Sequence, residues 1–380
     1  MKLGNEYYQL VKKYRRDLHQ IPEIGFDLDE TSAYLKRELY AMGYQCEKVA
    51  NTGIIAIKEG LEPSAVAFRA DMDGLMIEEK TNHGFKSHHQ GMMHACGHDG
   101  HMAILLGFAK YLTTIPKPNK TIILLFQPAE ESPGGAKVII ESGIFDRYLI
   151  EAIFAVHLDP SIEEYQVGLI SGPMMAQSGE LDITIQGKSA HGGKPHLGCD
   201  AIIVASQLIN SYQTIISRNL DPLQPSVITI GKINGGDERN IIASQVLLSG
   251  TIRALDIKQY QLIKKRIGEI NQALSMMHGV EIISDIRDFY PPVINDEYLY
   301  QKVKNCLSSD EYQKIEPMML AEDFSYYQQK APGLLMMLGV RNEKMGYLKP
   351  LHSCYFDFDE KVLVNGIELY IRICQDFNII

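Results

Sequence analysis

Short runs that are almost wholly apolar punctuate the first part of the chain: Ile54-Ile55-Ala56-Ile57, Ala65-Val66-Ala67-Phe68, Ile122-Ile123-Leu124-Leu125-Phe126 and Ala152-Ile153-Phe154-Ala155-Val156. Strands with one wet face alternate polar and apolar residues; runs without alternation belong to a sheet covered on both faces. Helical spacing predicts helices over residues 7–19, ending before Pro22, over 30–42, and over 103–112 between two of these strands. The succession predicts an α/β fold, with a mixed sheet and helices on both faces.

The pattern changes near Gly179. Leu181-Asp182-Ile183-Thr184-Ile185-Gln186 alternates, as a half-wet strand does. A helix over 200–218, strands over 227–230 and 245–253 around a loop with Gly235-Gly236, a helix over 257–276 and a strand over 280–283 follow. The order β-α-β-β-α-β is that of a ferredoxin-like unit, read as an insertion into the α/β domain. After Pro291 the first pattern resumes, with a helix over 297–307, a buried strand over 334–338 and a helix over 361–377. The expected division is 1–175 and 289–380 for the α/β domain and 176–288 for the insertion, with hinges within 170–179 and 285–292.

Composition narrows the classes. With 380 residues, 45% hydrophobic and 22% charged, the chain can bury large cores without staples. Lys plus Arg number 37 and Asp plus Glu 47, a balance of 37 − 47 = −10, and no basic tract interrupts it, so a nucleic-acid partner is not expected. The first twenty residues are polar and charged, unlike a signal peptide, and no stretch approaches the roughly 20 apolar residues that span a membrane. Six scattered cysteines (Cys46, Cys96, Cys199, Cys306, Cys354, Cys374) read as reduced thiols of a soluble cytoplasmic protein.

Chemistry collects at predicted strand ends. Asp71 follows the run ending at Phe68, Glu130 and Glu131 follow Phe126-Gln127-Pro128, His157 ends the run 153–156, and His352 lies beyond the strand over 334–338. In open α/β sheets ligands gather outside the carboxyl ends of the strands. His94-Ala95-Cys96-Gly97-His98-Asp99 precedes a helix that can start at the same edge. Thiolate, imidazole and carboxylate together suit Zn²⁺, Mn²⁺, Co²⁺ or Ni²⁺. Two such ions about 3.5–4 Å apart can bind and activate a water. The pair Glu130-Glu131 can supply one ligand and one general base. His101 reads as support for a ligand rather than a ligand, and His83, His88 and His89 as members of a solvated loop.

Five ordered motifs, Arg15-Arg16-Asp17-Leu18-His19 with Ile21-Pro22-Glu23, Phe68-Arg69-Ala70-Asp71-Met72-Asp73-Gly74-Leu75, Met93-His94-Ala95-Cys96-Gly97-His98-Asp99, Phe126-Gln127-Pro128-Ala129-Glu130-Glu131 and Gly187-Lys188-Ser189-Ala190-His191, resemble the aminoacylase, hippurate hydrolase and N-acetyldiaminopimelate deacetylase family, which includes auxin-conjugate hydrolases. The likeness extends through Asn240-Ile241-Ile242, Gly250-Thr251-Ile252-Arg253, Ala321-Glu322-Asp323-Phe324 and Leu351-His352. It implies a binuclear site with Cys96, His98, Glu131, His157 and His352 as ligands, Cys96 bridging, Glu130 as base and Asp71 orienting a ligand. It makes the insertion a lid that often mediates dimers, from which His191 would reach the scissile carbonyl oxygen while Asn240 and Arg253 hold the substrate, Arg253 by its carboxylate.

The expected activity is metal-dependent hydrolysis of an N-acyl, foremost N-acetyl, amino acid to a carboxylate and a free amino acid, in a monomer or a homo-oligomer such as a dimer. Two other readings use the same residues: a metallo-dipeptidase or carboxypeptidase, and a metal-binding module without catalysis.

Overall fold

A computed structural model describes residues 2–380. The chain divides into two compact units, one of Met1–Gly172, Ile294–Glu316 and Glu322–Ile380, the other of Pro173–Val293 with Pro317–Ala321.

In the first unit, α1 (Asn5–His19) and α2 (Asp29–Ala41) precede β1 (Cys46–Val49), β2 (Gly53–Lys58) and β3 (Ser64–Asp71). Then come α3 (His98–Leu112), β4 (Thr121–Gln127), the short helices α4 (Ala136–Glu141) and α5 (Ile144–Arg147), and β5 (Leu149–Glu163). β6 (Val167–Leu169) follows, and β7 (Gly172–Met175) leads into the second unit. That unit contributes β8 (Gln177–Gln186), α6 (Ala201–Thr214), β9 (Ser226–Gly235), β10 (Gln245–Ala254), α7 (Ile257–His278) and β11 (Glu281–Asp288). The chain closes with β12 (Val293–Asn295), α8 (Glu297–Asn305), β13 (Tyr312–Lys314), a 3₁₀ turn (Asp323–Gln329), β14 (Gly333–Arg341) and α9 (Val362–Asp376).

The large sheet runs β1-β2-β4-β3-β5-β14-β6-β13. Its centre is parallel (β4 with β3, β3 with β5, β5 with β14), and β2 joins β4 antiparallel. All eight residues of β3 and all seven of β4 are buried, as the absence of alternation required. On one face Val66, Phe68, Leu124, Phe154 and Met336 join a core with α1, α3 and α9. Ala67, Ile123 and Leu335 point the other way and are buried too; α4 and the 3₁₀ turn, which pack on each other, lie with β14 in that part of the unit.

In the second unit the four antiparallel strands run β11-β8-β10-β9. With elements in the order β-α-β-β-α-β, this is the ferredoxin-like arrangement. Leu181, Ile183 and Ile185 of β8 turn one face into a core with Val204, Leu208, Ile263 and Ile267 of α6 and α7. α6 and α7 are capped by Asp200 and Asp256, whose side chains accept from Ile202 N–H and Gln259 N–H.

Two expected boundaries move. α3 begins at His98, five residues before the predicted 103, because Gly97 takes φ 86° and turns the chain directly into the helix. β5 extends over Leu149–Glu163, since its pairing with β14 continues past the apolar run.

Phe68 anchors the first core. It is 0% exposed, with ring centroids 4.9 Å from Phe108, 4.8 Å from Tyr370 and 5.6 Å from Phe154. Phe68→Ala is expected to cost about 3–5 kcal/mol, read as a lower urea midpoint with the far-ultraviolet spectrum unchanged.

Candidate metal centre

The parallel strands carry their polar residues to one edge. Asp71 is the last residue of β3 rather than a residue beyond it, and His157 lies inside β5 rather than at its end; both reach the site because their strands run longer than their apolar stretches. Glu130 and Glu131 follow β4 through Pro128-Ala129. Ala129 adopts φ 58°, a left-handed turn that a non-glycine residue holds only when its surroundings impose it. Asp73 imposes it in part: Oδ1 accepts from Glu130 N–H and Oδ2 from Glu131 N–H, each at 3.1 Å. His352, also at positive φ (62°), is tied by its backbone N–H to Ala95 C=O at 2.9 Å.

Two groups of donors result. Sγ of Cys96 and ring nitrogens of His98 and His157 lie within 4.8 Å of one another, and so do Sγ of Cys96, a carboxylate oxygen of Glu131 and a ring nitrogen of His352. Cys96 belongs to both. Glu130 lies within the same distance of His98 and Glu131. The five expected ligands and the expected base thus meet in one place, although 256 residues separate Cys96 from His352 (352 − 96 = 256).

The ring orientations are set from behind. His157 Nδ1–H donates to Leu158 C=O at 2.8 Å, which leaves Nε2 as a lone pair 3.6 Å from Cys96 Sγ. His101 Nδ1–H donates to Asp71 Oδ1 at 2.6 Å and its Nε2 accepts from Leu158 N–H at 2.9 Å, so His101 steadies Asp71 and the His157 strand. Asp71 Oδ2 accepts from Arg69 Nη1 at 2.8 Å.

The arrangement fits divalent cations. His98 is fully buried, yet neither ring nitrogen makes a well-formed hydrogen bond; the nearest carboxylate oxygens stand at 3.4 Å (Asp73) and 3.8 Å (Asp71). Burial opposes its charge, but Asp71, Asp73 and Glu131 outweigh it and push its pKa up to about 10. Burial, with Glu131, Glu130 and Asp71, drives the Cys96 thiol well above its usual range. Burial, with Glu322, Asp323 and Glu131, does the same to Glu130. A field that makes an imidazole this basic and keeps a thiol protonated favours cations, which are the groups that turn such a thiol into a ligand.

The remaining expected site residues belong to the second unit. His191 and Asn240 are exposed and adjacent: His191 bridges to Ile241 and Gly192 N–H donates to Asn240 C=O at 2.7 Å. Arg253 is half-buried on β10, and burial lowers its pKa.

Sequence reasoning assigned no role to Asp73, Arg69, Glu322 or Asp323, all buried about the donors. The signals available were their places in the quoted motifs and the Asp-x-Asp spacing that begins at the last residue of β3. A second buried network lies at the start of α3. Asp99 Oδ2 accepts from Arg15 Nε at 3.0 Å and from His19 Nδ1 at 2.7 Å, while Arg15 Nη2 reaches Asp357 at 2.9 Å. His83, expected in a solvated loop, instead stacks on Phe85 with centroids 4.4 Å apart and its side chain 17% exposed. Burying two rings against His19 outweighs the polarity of their neighbours.

The sequence pattern of peptidase family M20/M25/M40 matches residues 67–376. The chain is 37% identical over 383 residues to IAA-amino acid hydrolase ILR1-like 4 of Arabidopsis thaliana, covering 98% of this chain and 87% of the relative. It is 39% identical over 357 residues to N-acetyl-L-cysteine deacetylase of Bacillus subtilis, covering 93% and 84%. Among solved structures, a dinuclear metal binding peptidase of the M20 family from Bacillus subtilis superposes with a TM-score of 0.85 at 28% identity, covering 99% of both chains.

Glu79 gives the network at α3 a pH signature. Burial opposes its charge, but His19 Nε2 at 3.4 Å, Thr81 Oγ1 and Ser87 N–H at 2.8 Å prevail and hold its pKa down to about 2, from an ordinary 4.5. A depressed carboxylate stabilises the fold above its unfolded pKa and loses that effect as pH falls through the folded one. The stability gap between the protein and Glu79→Gln should therefore be flat above about pH 5 and close between 4.5 and 2, as followed by urea denaturation across pH.

Proposed function

This chain belongs to peptidase family M20/M25/M40 and is a metal-dependent amidohydrolase of N-acyl amino acids, and we propose that Cys96, His98, Glu131, His157 and His352 hold its two divalent cations while Glu130 moves the proton. The reading rests on one observation above all: Cys96 is common to both donor groups, so a single sulfur can face both cations. A thiolate, three imidazoles and a carboxylate suit Mn²⁺, Zn²⁺, Co²⁺ or Ni²⁺.

When bound, the cation pair lowers the pKa of a water and polarises the amide carbonyl. Glu130 takes the proton of that water at a carboxylate oxygen as the water oxygen bonds to the acyl carbon. It then delivers the proton to the amide nitrogen as the carbon–nitrogen bond breaks, so that a carboxylate and a free amino acid leave. Asp73 fixes the Glu130 and Glu131 backbones for this transfer. Asp71, clamped between Arg69 and His101, orients the ligand set. His191 is assigned to the negative charge that grows on the carbonyl oxygen, Asn240 to the substrate, and Arg253, which has no carboxylate partner among the described residues, to the substrate carboxylate.

An acetyl group is the acyl group most in keeping with the reading, since a relative is named for removing one. All six cysteines are free, which accords with a reducing compartment such as the cytoplasm, and no helix among the described residues is long and apolar enough to cross a membrane. A homodimer through the second unit belongs to the same reading, because the outer face of its sheet exposes Val227, Leu247 and Ile283; sedimentation checks it.

Glu130→Gln should lower kcat by about 10²–10⁴-fold with two metals per chain retained; near-normal turnover of an N-acetyl amino acid by the loaded variant would refute the assigned base. Cys96→Ala should lower metal content as well as activity, and elemental analysis reads the first directly. A panel of N-acetyl amino acids beside dipeptides should give the higher kcat/KM for the acetylated series.

A further inference from the structure

A set of buried polar groups behind Glu130 is left unused by the scheme above. Arg69 is 2% exposed and spends its whole guanidinium there: Nε donates to Gln127 Oε1 at 2.9 Å, Nη1 to Asp71, and Nη2 to Glu322 Oε1 and Asp323 Oδ1, each at 3.0 Å. One arginine therefore serves three carboxylates. Glu130 makes a fourth, its oxygens within 4.8 Å of those of Glu322 and Asp323. Packing alone would be met more cheaply by apolar side chains, since desolvating charges costs more than their pairing returns. The cluster is not itself a cation site, because Arg69 fills that role.

Both acids are held by several donors. Glu322 Oε1 accepts from Phe324 N–H at 3.0 Å as well as from Arg69, and so caps the 3₁₀ turn. Asp323 Oδ2 accepts from Gln127 Nε2 at 2.7 Å and Ala136 N–H at 2.9 Å. Glu130 thus lies within 4.8 Å both of the held acids Glu322 and Asp323 and of the His98 and Glu131 donors.

We propose that Glu322 is a positioning residue for the reaction: held by Arg69 and the Phe324 N–H, its carboxylate repels the Glu130 carboxylate, ionised when cations occupy the donor groups, toward those donors, where the proton is taken. The inference rests on Glu130 being the base. Like charges this close, shielded from water, interact strongly, and a reacting group misplaced by a fraction of an ångström to an ångström loses much of its rate. Glu322 touches no reacting atom; it acts through the carboxylate it faces.

The test uses metal-loaded enzyme and an N-acetyl amino acid, with Glu322→Gln, Glu322→Asp and Glu130→Gln measured side by side. Gln at 322 keeps an oxygen for Arg69 and Phe324 and removes only the charge. Its kcat should fall by about tenfold to 10²-fold, with KM, metal content and thermal midpoint unchanged. The kcat of Glu322→Asp, which keeps the charge but draws it back by one methylene, should fall between those of the wild type and Glu322→Gln. If Glu322→Gln does not fold, Glu322→Asp decides alone, and a wild-type kcat in it overturns the proposal. So does an unchanged kcat in Glu322→Gln, a change in KM alone, or a kcat loss that follows metal loss. Near-normal turnover by Glu130→Gln defeats the base assignment instead, so the two failures are told apart.

Discussion

An excess of buried acid and thiol groups is the constraint on which the rest of this structure depends. Asp71, Asp73, Glu130, Glu322 and Asp323 are each at most 6% exposed, and Cys96 lies among them. Arg69 is a fixed cation that three of them, Asp71, Glu322 and Asp323, share. Isolated charges cannot be carried into a protein interior at that density. The shifts in the site express this: Glu130 and Cys96 resist ionising under burial and neighbouring negative charge, and burial with the nearby Glu322 pushes Asp323 up to about 8 even against Arg69. Divalent cations at the donor groups would relieve the same imbalance, so that metal affinity and catalytic geometry would follow from one electrostatic requirement.

The sheet makes such crowding possible. Neighbouring strands lie roughly 4.8 Å apart, so side chains leaving the same edge of adjacent parallel strands are brought within reach of a common centre. β3 supplies Asp71, β4 leads to Glu130 and Glu131, and β5 supplies His157. Positive-φ turns at Ala129, Gly97 and His352 then redirect the chain at the points where the site needs it. Rigidity comes from behind the donors. His101, Asp73 and Leu158 C=O fix rings and backbones whose own contacts would leave them free to turn.

The two faces of the sheet divide the work. One is a conventional apolar core, in which Phe68 packs with Phe108, Phe154 and Tyr370. The other carries Arg69 and Gln127 from the ends of the same strands to Asp323 and Tyr327 of the 3₁₀ turn. Alternation along β3 therefore places Phe68 and Arg69 back to back, and the residue that stabilises one layer is the neighbour of the residue that organises the site in the other.

Local physics made much of this protein legible in the sequence. Runs without alternation announced a sheet covered on both faces, the change to alternation at 181–186 announced a second unit, and polar residues at strand ends marked the edge where Asp71, Glu130, Glu131, His157 and His352 collect. Each of those signals depends on neighbours a few residues away. The partners of Arg69 do not: Glu322 and Asp323 lie 253 and 254 residues along the chain, and nothing in a short window distinguishes them from a helix-capping acid pair. Similarly, the burial of His83 came from Phe85 and from His19 at the end of α1. Sequence by itself determined which elements form and which edge carries the chemistry, because periodicity and chain direction are local. Only the tertiary structure decided which charges share a pocket, because pairing between distant strands is settled by packing.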